Sequence, residues 1–326
     1  PEQPRAEQKV ADPSPPETPA QKAMVAEWSI RNGSWVTLTA SDSEEAEHDA
    51  LKKLAVGIAG LAARSATHSF IVSCAGEDAE MRAKTCFIKA LLSEGVDVID
   101  VGRVAPPVAH MATHNGTSSG AALMIQRDVD SALSVGALYN RQWADERFWQ
   151  QVTVLANEHV ATSSNGRSIK LELTDDYCDR LSSDMAMAEA LSIAIVCDNP
   201  NTLAVAEKSL QKAACEVHAI CLQPGFTEDA ARAIFNDKKA NISFILDSHA
   251  SRFTAFDERV NRVRDDHIFM LMGRDALARH PGSDVIVGYK SSRALPSFVT
   301  SCGGASKMVD ATPHTLQREM SENGAV

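Results

Sequence analysis

Four residues close together in one segment carry the chemistry of a metal or anion loop: Asp247, His249, Ser251 and Arg252. Alternate positions offer a carboxylate, an imidazole and a hydroxyl, with a guanidinium next in line. Mg²⁺ is a hard ion that prefers oxygen ligands, and this is a poor donor set for it. His249 would suit zinc better, yet a lone histidine in a polar loop is more often simply solvated. Asp128 and Asp130 form a second candidate pair, two carboxylates spaced for acid/base work, but no partner base or substrate anchor accompanies them. The run Ser43-Glu44-Glu45-Ala46-Glu47-His48-Asp49 reads as an acidic helix start favoured by the helix dipole rather than as a metal site. There is no G-x-G-x-x-G after a strand, no P-loop and no G-x-S-x-G elbow.

Alternating strands and helices must position these groups. Ser69–Cys74 reads as a buried strand, Asp78–Ser93 as an amphipathic helix closed by Gly95, and Val96–Val101 as the next strand, a parallel βαβ unit. Ala121–Ile125 adds a strand. The same grammar returns with strand Ile193–Cys197, helix Thr202–Ala213, strand Val217–Leu222, helix Thr227–Asn236 and strand Ile242–Leu246. The Asp247–Arg252 loop follows at once, and then strand Phe253–Asp257. A third round has helix His267–Ala278, strand Asp284–Tyr289, a helix from Ala294, strand Lys307–Asp310 and helix Thr315–Glu322. Three such rounds imply consecutive α/β units. The third has only about two strands, so its sheet edge needs covering by another domain or chain.

Composition narrows the class. The 326 residues are 44% hydrophobic and carry a net charge of -11, which suits a multi-domain globular chain and argues against nucleic-acid or anionic-membrane surfaces. No apolar run approaches the ~20 residues needed to span a bilayer. The seven cysteines show no C-x-x-C and no zinc spacing, and read as small buried hydrophobes in a reducing, cytoplasmic compartment. Residues 1–23, rich in Pro, Glu, Gln and Ala, read as a disordered tether that attaches the folded body to something larger; a frayed end without a role is the other reading. The chain opens at Pro1 rather than Met, which leaves room for an upstream segment.

From residue 24 to 326, several stretches in collinear order resemble the phosphohexomutases (phosphomannomutase/phosphoglucomutase). Trp28-Ser29-Ile30-Arg31-Asn32-Gly33 is similar to the family's Y-D-I-R-G, and Gly95-Val96-Asp97-Val98-Ile99-Asp100-Val101-Gly102 to its G-V-D-V-I-D-V-G. Val104-Ala105-Pro106-Pro107-Val108 is similar to V-P-T-P-V. Met270–Pro281 and Lys290-Ser291-Ser292-Arg293-Ala294-Leu295-Pro296 resemble the entry to the family's third domain. The loop Asp247–Arg252 resembles D-G-D-G-D-R, in which three carboxylates hold Mg²⁺.

The resemblance implies α/β/α domains with mixed sheets: domain I at 24–165, domain II at 166–264 and a partial domain III at 265–326, with the family's fourth domain absent. It also implies losses. Asp128 stands at the position of the phosphoserine that donates the phosphoryl group, and it has no group to transfer. The family's proton-transfer lysine falls near Leu138, the arginines of its V-G-R-D-G-R loop near Cys74 and Glu77, and K-T-G-H becomes Ala311-Thr312-Pro313-His314. What remains is Arg31, Asp247, Arg252, Lys290, Arg293 and His314. These are either a residual hexose-phosphate pocket or inherited structural residues. The expectation is a pseudoenzyme with no catalytic residues, no metal at Asp247, His249 and Ser251, and no cofactor. It would be a structural or regulatory subunit whose protein partner covers the partial third domain. The alternatives are a divergent Mg²⁺-dependent hexose-phosphate mutase and a non-catalytic sugar-phosphate binder.

Overall fold

A computed structural model describes residues 28–31, 33–38, 43–76, 78–114, 119–127, 131–158, 165–183, 185 and 190–326. The tether assigned to residues 1–23, the Asp128/Asp130 pair and Glu77 lie outside the described residues.

The first unit is built on a mixed sheet. In chain order its elements are β1 (Trp28–Arg31), β2 (Trp35–Leu38), α1 (Glu44–Ala63), β3 (Ser69–Cys74), α2 (Asp78–Ser93), β4 (Asp97–Arg103), α3 (Pro106–Ala112), β5 (Ala122–Arg127), β6 (Leu133–Tyr139), β7 (Gln142–Trp143), α4 (Glu146–Asn157) and β8 (Ser168–Lys170). The strand order is β1-β2-β6-β5-β3-β4-β8, with β7 on β6. The βαβ reading of β3, α2 and β4 holds: the two strands pair in parallel, with Ile71 opposite Ile99. Gly95, at φ +79°, lets Val96 N–H reach back to Leu91 C=O at 3.0 Å and so ends α2.

The acidic start at Ser43 proves to open a helix running to Ala63. The Ser43 side chain accepts from Ala46 N–H at 3.2 Å, and Glu44, Glu45 and Glu47 occupy the positive end of the dipole. Leu51, Leu54, Ala55 and Ile58 then bury the inner stripe of α1 against Phe70, Val72 and Phe87. The opposite face of the sheet packs Ile71, Ile99 and Met124 under Val108 and Ala109 of α3, which completes the α/β/α layering.

The second unit carries α5 (Thr174–Ser183), β9 (Ser192–Cys197), α6 (Pro200–Lys212), β10 (Glu216–Cys221), α7 (Glu228–Lys238), β11 (Ile242–Leu246) and β12 (Phe253–Phe256). Its order is β10-β9-β11-β12, parallel except for β12. Separate apolar clusters, one with Leu203 of α6 and one with Phe235 of α7, cover its two faces. The junction with the first unit is shared: β8 pairs β4 in parallel, while the following α5 lays Tyr177 on the first core and forms Lys208–Asp175 and Lys212–Asp179 ion pairs with α6.

The third unit comprises α8 (Asp265–Arg279), β13 (Asp284–Gly288), α9 (Ala294–Ser301), β14 (Ala305–Val309) and α10 (Pro313–Asn323). Among the described residues its sheet is the parallel pair β13–β14. Leu277, Val285, Val287, Leu295 and Val299 form its small core. The fold is therefore a succession of α/β/α units with mixed sheets, the third of them reduced to two strands here.

Candidate functional site

The Asp247–Arg252 loop sits where the sequence puts it, between an inner strand and its antiparallel neighbour at the carboxyl end of the second sheet. It closes on itself. Asp247 N–H donates to Arg252 C=O at 3.1 Å, and Ala250 takes φ +53° to complete the turn. The Asp247 carboxylate is the brace: Ser251 N–H donates to Oδ1 at 2.7 Å and Ser251 Oγ to Oδ2 at 2.5 Å. Arg252 Nε lies 3.7 Å from Oδ2, but its side chain is 86% exposed, so this ion pair is loose and screened.

The loop forms one wall of an open groove of about 610 Å³ between the second and third units. Asp198, Asp247 and Arg252 contribute its polar side, while Phe226, Phe253 and Phe269 contribute an apolar one. A network fixes the wall from behind. Ser248 Oγ donates to Asp198 Oδ1 at 2.6 Å, and Thr202 Oγ1 donates to Ser248 C=O at 2.7 Å. Asn199 caps α6 through Oδ1 and donates from Nδ2 to Ala75 C=O of the first unit at 2.8 Å. The segment after β3 and the metal-like loop are thus tied together through the N-terminus of α6.

The other retained residues are dispersed. Lys290 and Arg293 are exposed on the turn after β13. That turn approaches the groove through Ser292 N–H, which donates to Asp266 Oδ1 at 3.0 Å beside groove-lining Asp265. His314 lies elsewhere: its Nδ1 is 2.9 Å from Trp143 C=O and its Nε2 is 3.8 Å from Asp145 Oδ2, so it joins the third unit to the first. Arg31 ends β1, with its backbone paired to Trp35. Leu138, near the lysine position, is fully buried in the first core, and Cys74 is equally buried, its thiol pushed up to about 11 by desolvation.

Sequence reasoning missed several charged contacts. Arg127, at the last position of β5, grips Glu47 of α1 with two bonds of 2.9 and 2.7 Å. Lys84 of α2 is buried against Asp100 of β4 at 2.5 Å, and the same carboxylate oxygen accepts Gly102 N–H at 2.9 Å. The signal for the second pair was a lysine on the apolar stripe of α2, which must find a counter-charge.

No protein-family model matches the chain. Among curated proteins it is similar to the phosphomannomutase/phosphoglucomutase of Pseudomonas putida, at 24% identity over 255 residues, covering 73% of this chain and 55% of that protein. It is also similar to the phosphoglucomutase of Neisseria gonorrhoeae, at 24% identity over 256 residues with the same coverage. The chain thus spans about half the length of the curated relatives it matches. Among solved structures, a phosphoglucomutase/phosphomannomutase family protein from Burkholderia thailandensis superposes with a TM-score of 0.81 at 16% identity, over 90% of this chain and 69% of that one. The parafusin (phosphoglucomutase) of Paramecium gives 0.63 at 10% identity, over 85% and 61%.

These relatives correct one expectation, that no cofactor is involved: phosphomannomutase and phosphoglucomutase chemistry is Mg²⁺-dependent, so the relationship implies Mg²⁺. The described loop does not fit that ion in the family's manner. It presents one carboxylate, already accepting two bonds from Ser251, and no group of three His, Cys, Asp or Glu side chains able to hold a metal occurs among the described residues. No step through the ion is therefore derived. Collinear motifs, curated relatives and superposable architecture agree in relating this chain to the phosphohexomutases, whose fold it shares.

Proposed function

We propose that this chain is a phosphohexomutase-fold subunit of a larger assembly that has given up turnover of hexose phosphates. The reading divides it into domains at 24–165, 166–264 and 265–326, with β8 of the second reaching back onto the first sheet and residues 1–23 as the attachment. One observation carries it most: Asp247, the single carboxylate left in the metal-like loop, spends both oxygens on bracing its own turn. Transfer of a phosphoryl group needs a donor and a cation to neutralise the developing charge. The sequence offers Asp128 in place of the donor, and Leu138 near the place of the proton-transfer lysine.

Exposed apolar side chains on the third unit support a protein partner there. Met272 and Tyr289 are 64% and 67% exposed on a unit with a two-stranded sheet, and such a sheet needs more cover than its own helices supply.

A second reading, a divergent mutase on glucose or mannose phosphates, is favoured by the names of the relatives and by Arg252 and Arg262 in a groove with aromatic walls. One assay separates the two. Glucose 1-phosphate and mannose 1-phosphate are incubated with the chain, Mg²⁺ and a hexose bisphosphate, and the 6-phosphates are measured. The subunit reading expects no conversion above a protein-free blank; sustained turnover, or a phosphorylated protein intermediate in intact mass, refutes it.

A further inference from the structure

A second groove is separate from this chemistry. It runs between α1 and α2 on the outer face of the first sheet, holds about 750 Å³, and shares no lining residue with the groove at Asp247. Cations outnumber carboxylates among the residues that line it. The whole sequence has 43 Asp and Glu against 32 Lys and Arg, yet the groove walls carry Lys52, Lys53, Arg82 and Lys89 against Glu94 alone. Between the two cationic walls, Val56, Met81 and Ala90 make an apolar floor.

We propose that the α1–α2 groove is a docking site for an acidic amphipathic helix of a partner protein. The proposal is independent of the reading of the sugar-phosphate site. A helix laid along two packed helices buries its apolar stripe on the floor and presents flanking Asp and Glu to the walls. Two of the rim cations hold carboxylates of the chain itself: Lys52 pairs with Asp49 at 2.8 Å and Arg82 with Glu44 at 2.7 Å, both in exposed positions. Exposed pairs are worth little, so a partner carboxylate can share or replace these at small cost. Lys89 is exposed on the last turns of α2. The lining has no Phe, Tyr or Trp on which bases could stack, which favours a peptide over a single-stranded nucleic acid.

The test uses the full chain and a fluorescein-labelled, 16-residue Leu/Glu amphipathic peptide, with its Leu/Lys counterpart as control, followed by anisotropy at low and high salt. The acidic peptide should bind at least tenfold more tightly than the basic one and weaken several-fold as salt rises. Lys53→Glu with Lys89→Glu, both at exposed positions, should weaken it at least tenfold at an unchanged melting temperature. If that double reversal perturbs folding, Lys53→Gln with Lys89→Gln replaces it, with a smaller loss in the same direction. Three results overturn the proposal: equal binding of the two peptides, binding indifferent to the substitutions, or equally tight binding of polyglutamate or heparin, which would make the groove a general polyanion surface.

Discussion

At the scale of single residues, the contrast between Asp247 and Arg252 decides what the loop can still do. The carboxylate is held by two hydrogen bonds from Ser251, whereas the guanidinium projects into solvent over the groove. An anion entering the groove would meet Arg252 before anything else on the loop. Arg252→Ala should therefore abolish any rise in melting temperature produced by millimolar glucose 6-phosphate, while leaving the melting temperature of the free protein within about a degree. A shift that survives the substitution removes Arg252 from the site. The thiols give a second residue-scale prediction. Burial pushes both Cys74 and Cys197 up to about 11, so at pH 8 neither is a thiolate, whereas Cys221 is exposed. A thiol reagent at that pH should modify Cys221 in the fast phase, and peptide mapping should find Cys74 and Cys197 modified only after denaturant is added. The residues of the loop were legible because their types and spacing lie within six positions of each other. Asn199 and Gln317 were not: their roles come from backbone groups 124 and more than 170 positions away, which no local pattern announces.

At the scale of elements, the packing of α1 on α4 rests on two glycines. A Cβ at Gly57 would stand 2.2 Å from Val152 C=O, and one at Gly60 would stand 2.9 Å from Leu155 Cβ. Alanine in place of a helical glycine ordinarily gains about 1 kcal/mol in propensity. Here the obstacle is a backbone carbonyl that cannot turn aside, so the helices must separate, and overpacking of this kind costs about 1–3 kcal/mol. Gly57→Ala should thus lower the urea midpoint; a higher midpoint would show that the helices part freely.

On the opposite face of the sheet, α3 carries a pH-dependent cost. Burial, with a contribution from His114, holds the His110 imidazole below its usual 6.5, and its Nε2 has no hydrogen-bond partner among the described residues. A depressed histidine prefers to be neutral in the native state, so the unfolded chain binds the extra proton. This contribution to stability is complete above pH 6.5 and is lost as pH falls below it. His110→Gln should flatten the stability–pH curve below pH 6.5; an unchanged slope would place the proton elsewhere. The long periodic helices and buried strands were readable because burial on one face imposes their spacing. The two-residue β7 and three-residue β8 were not, since strands so short carry no period and exist only because β6 and β4 offer them an edge.

At the scale of the whole molecule, the third unit returns to touch the first. The side-chain amide of Gln317 on α10 behaves like one more residue of sheet: its Oε1 accepts Trp143 N–H at 2.8 Å and its Nε2 donates to Arg141 C=O at 2.9 Å. His314, one turn earlier, adds its contact to Trp143 C=O. Together they cover the backbone edge of β7 and convert three units in series into a closed arrangement, with Asn199 joining the first to the second. The small core of the third unit and its two-stranded sheet supply little independent stability. Its folding should therefore depend on that dock. Gln317→Ala combined with His314→Ala removes the side-chain bonds without touching any core. In calorimetry it should split a low-temperature transition from the main one, and hydrogen exchange should quicken in 265–326 and at 142–143 while the first sheet stays protected. A single transition displaced by less than a degree would mean that the units cohere through their apolar contacts, and that the edge of β7 is covered without being coupled.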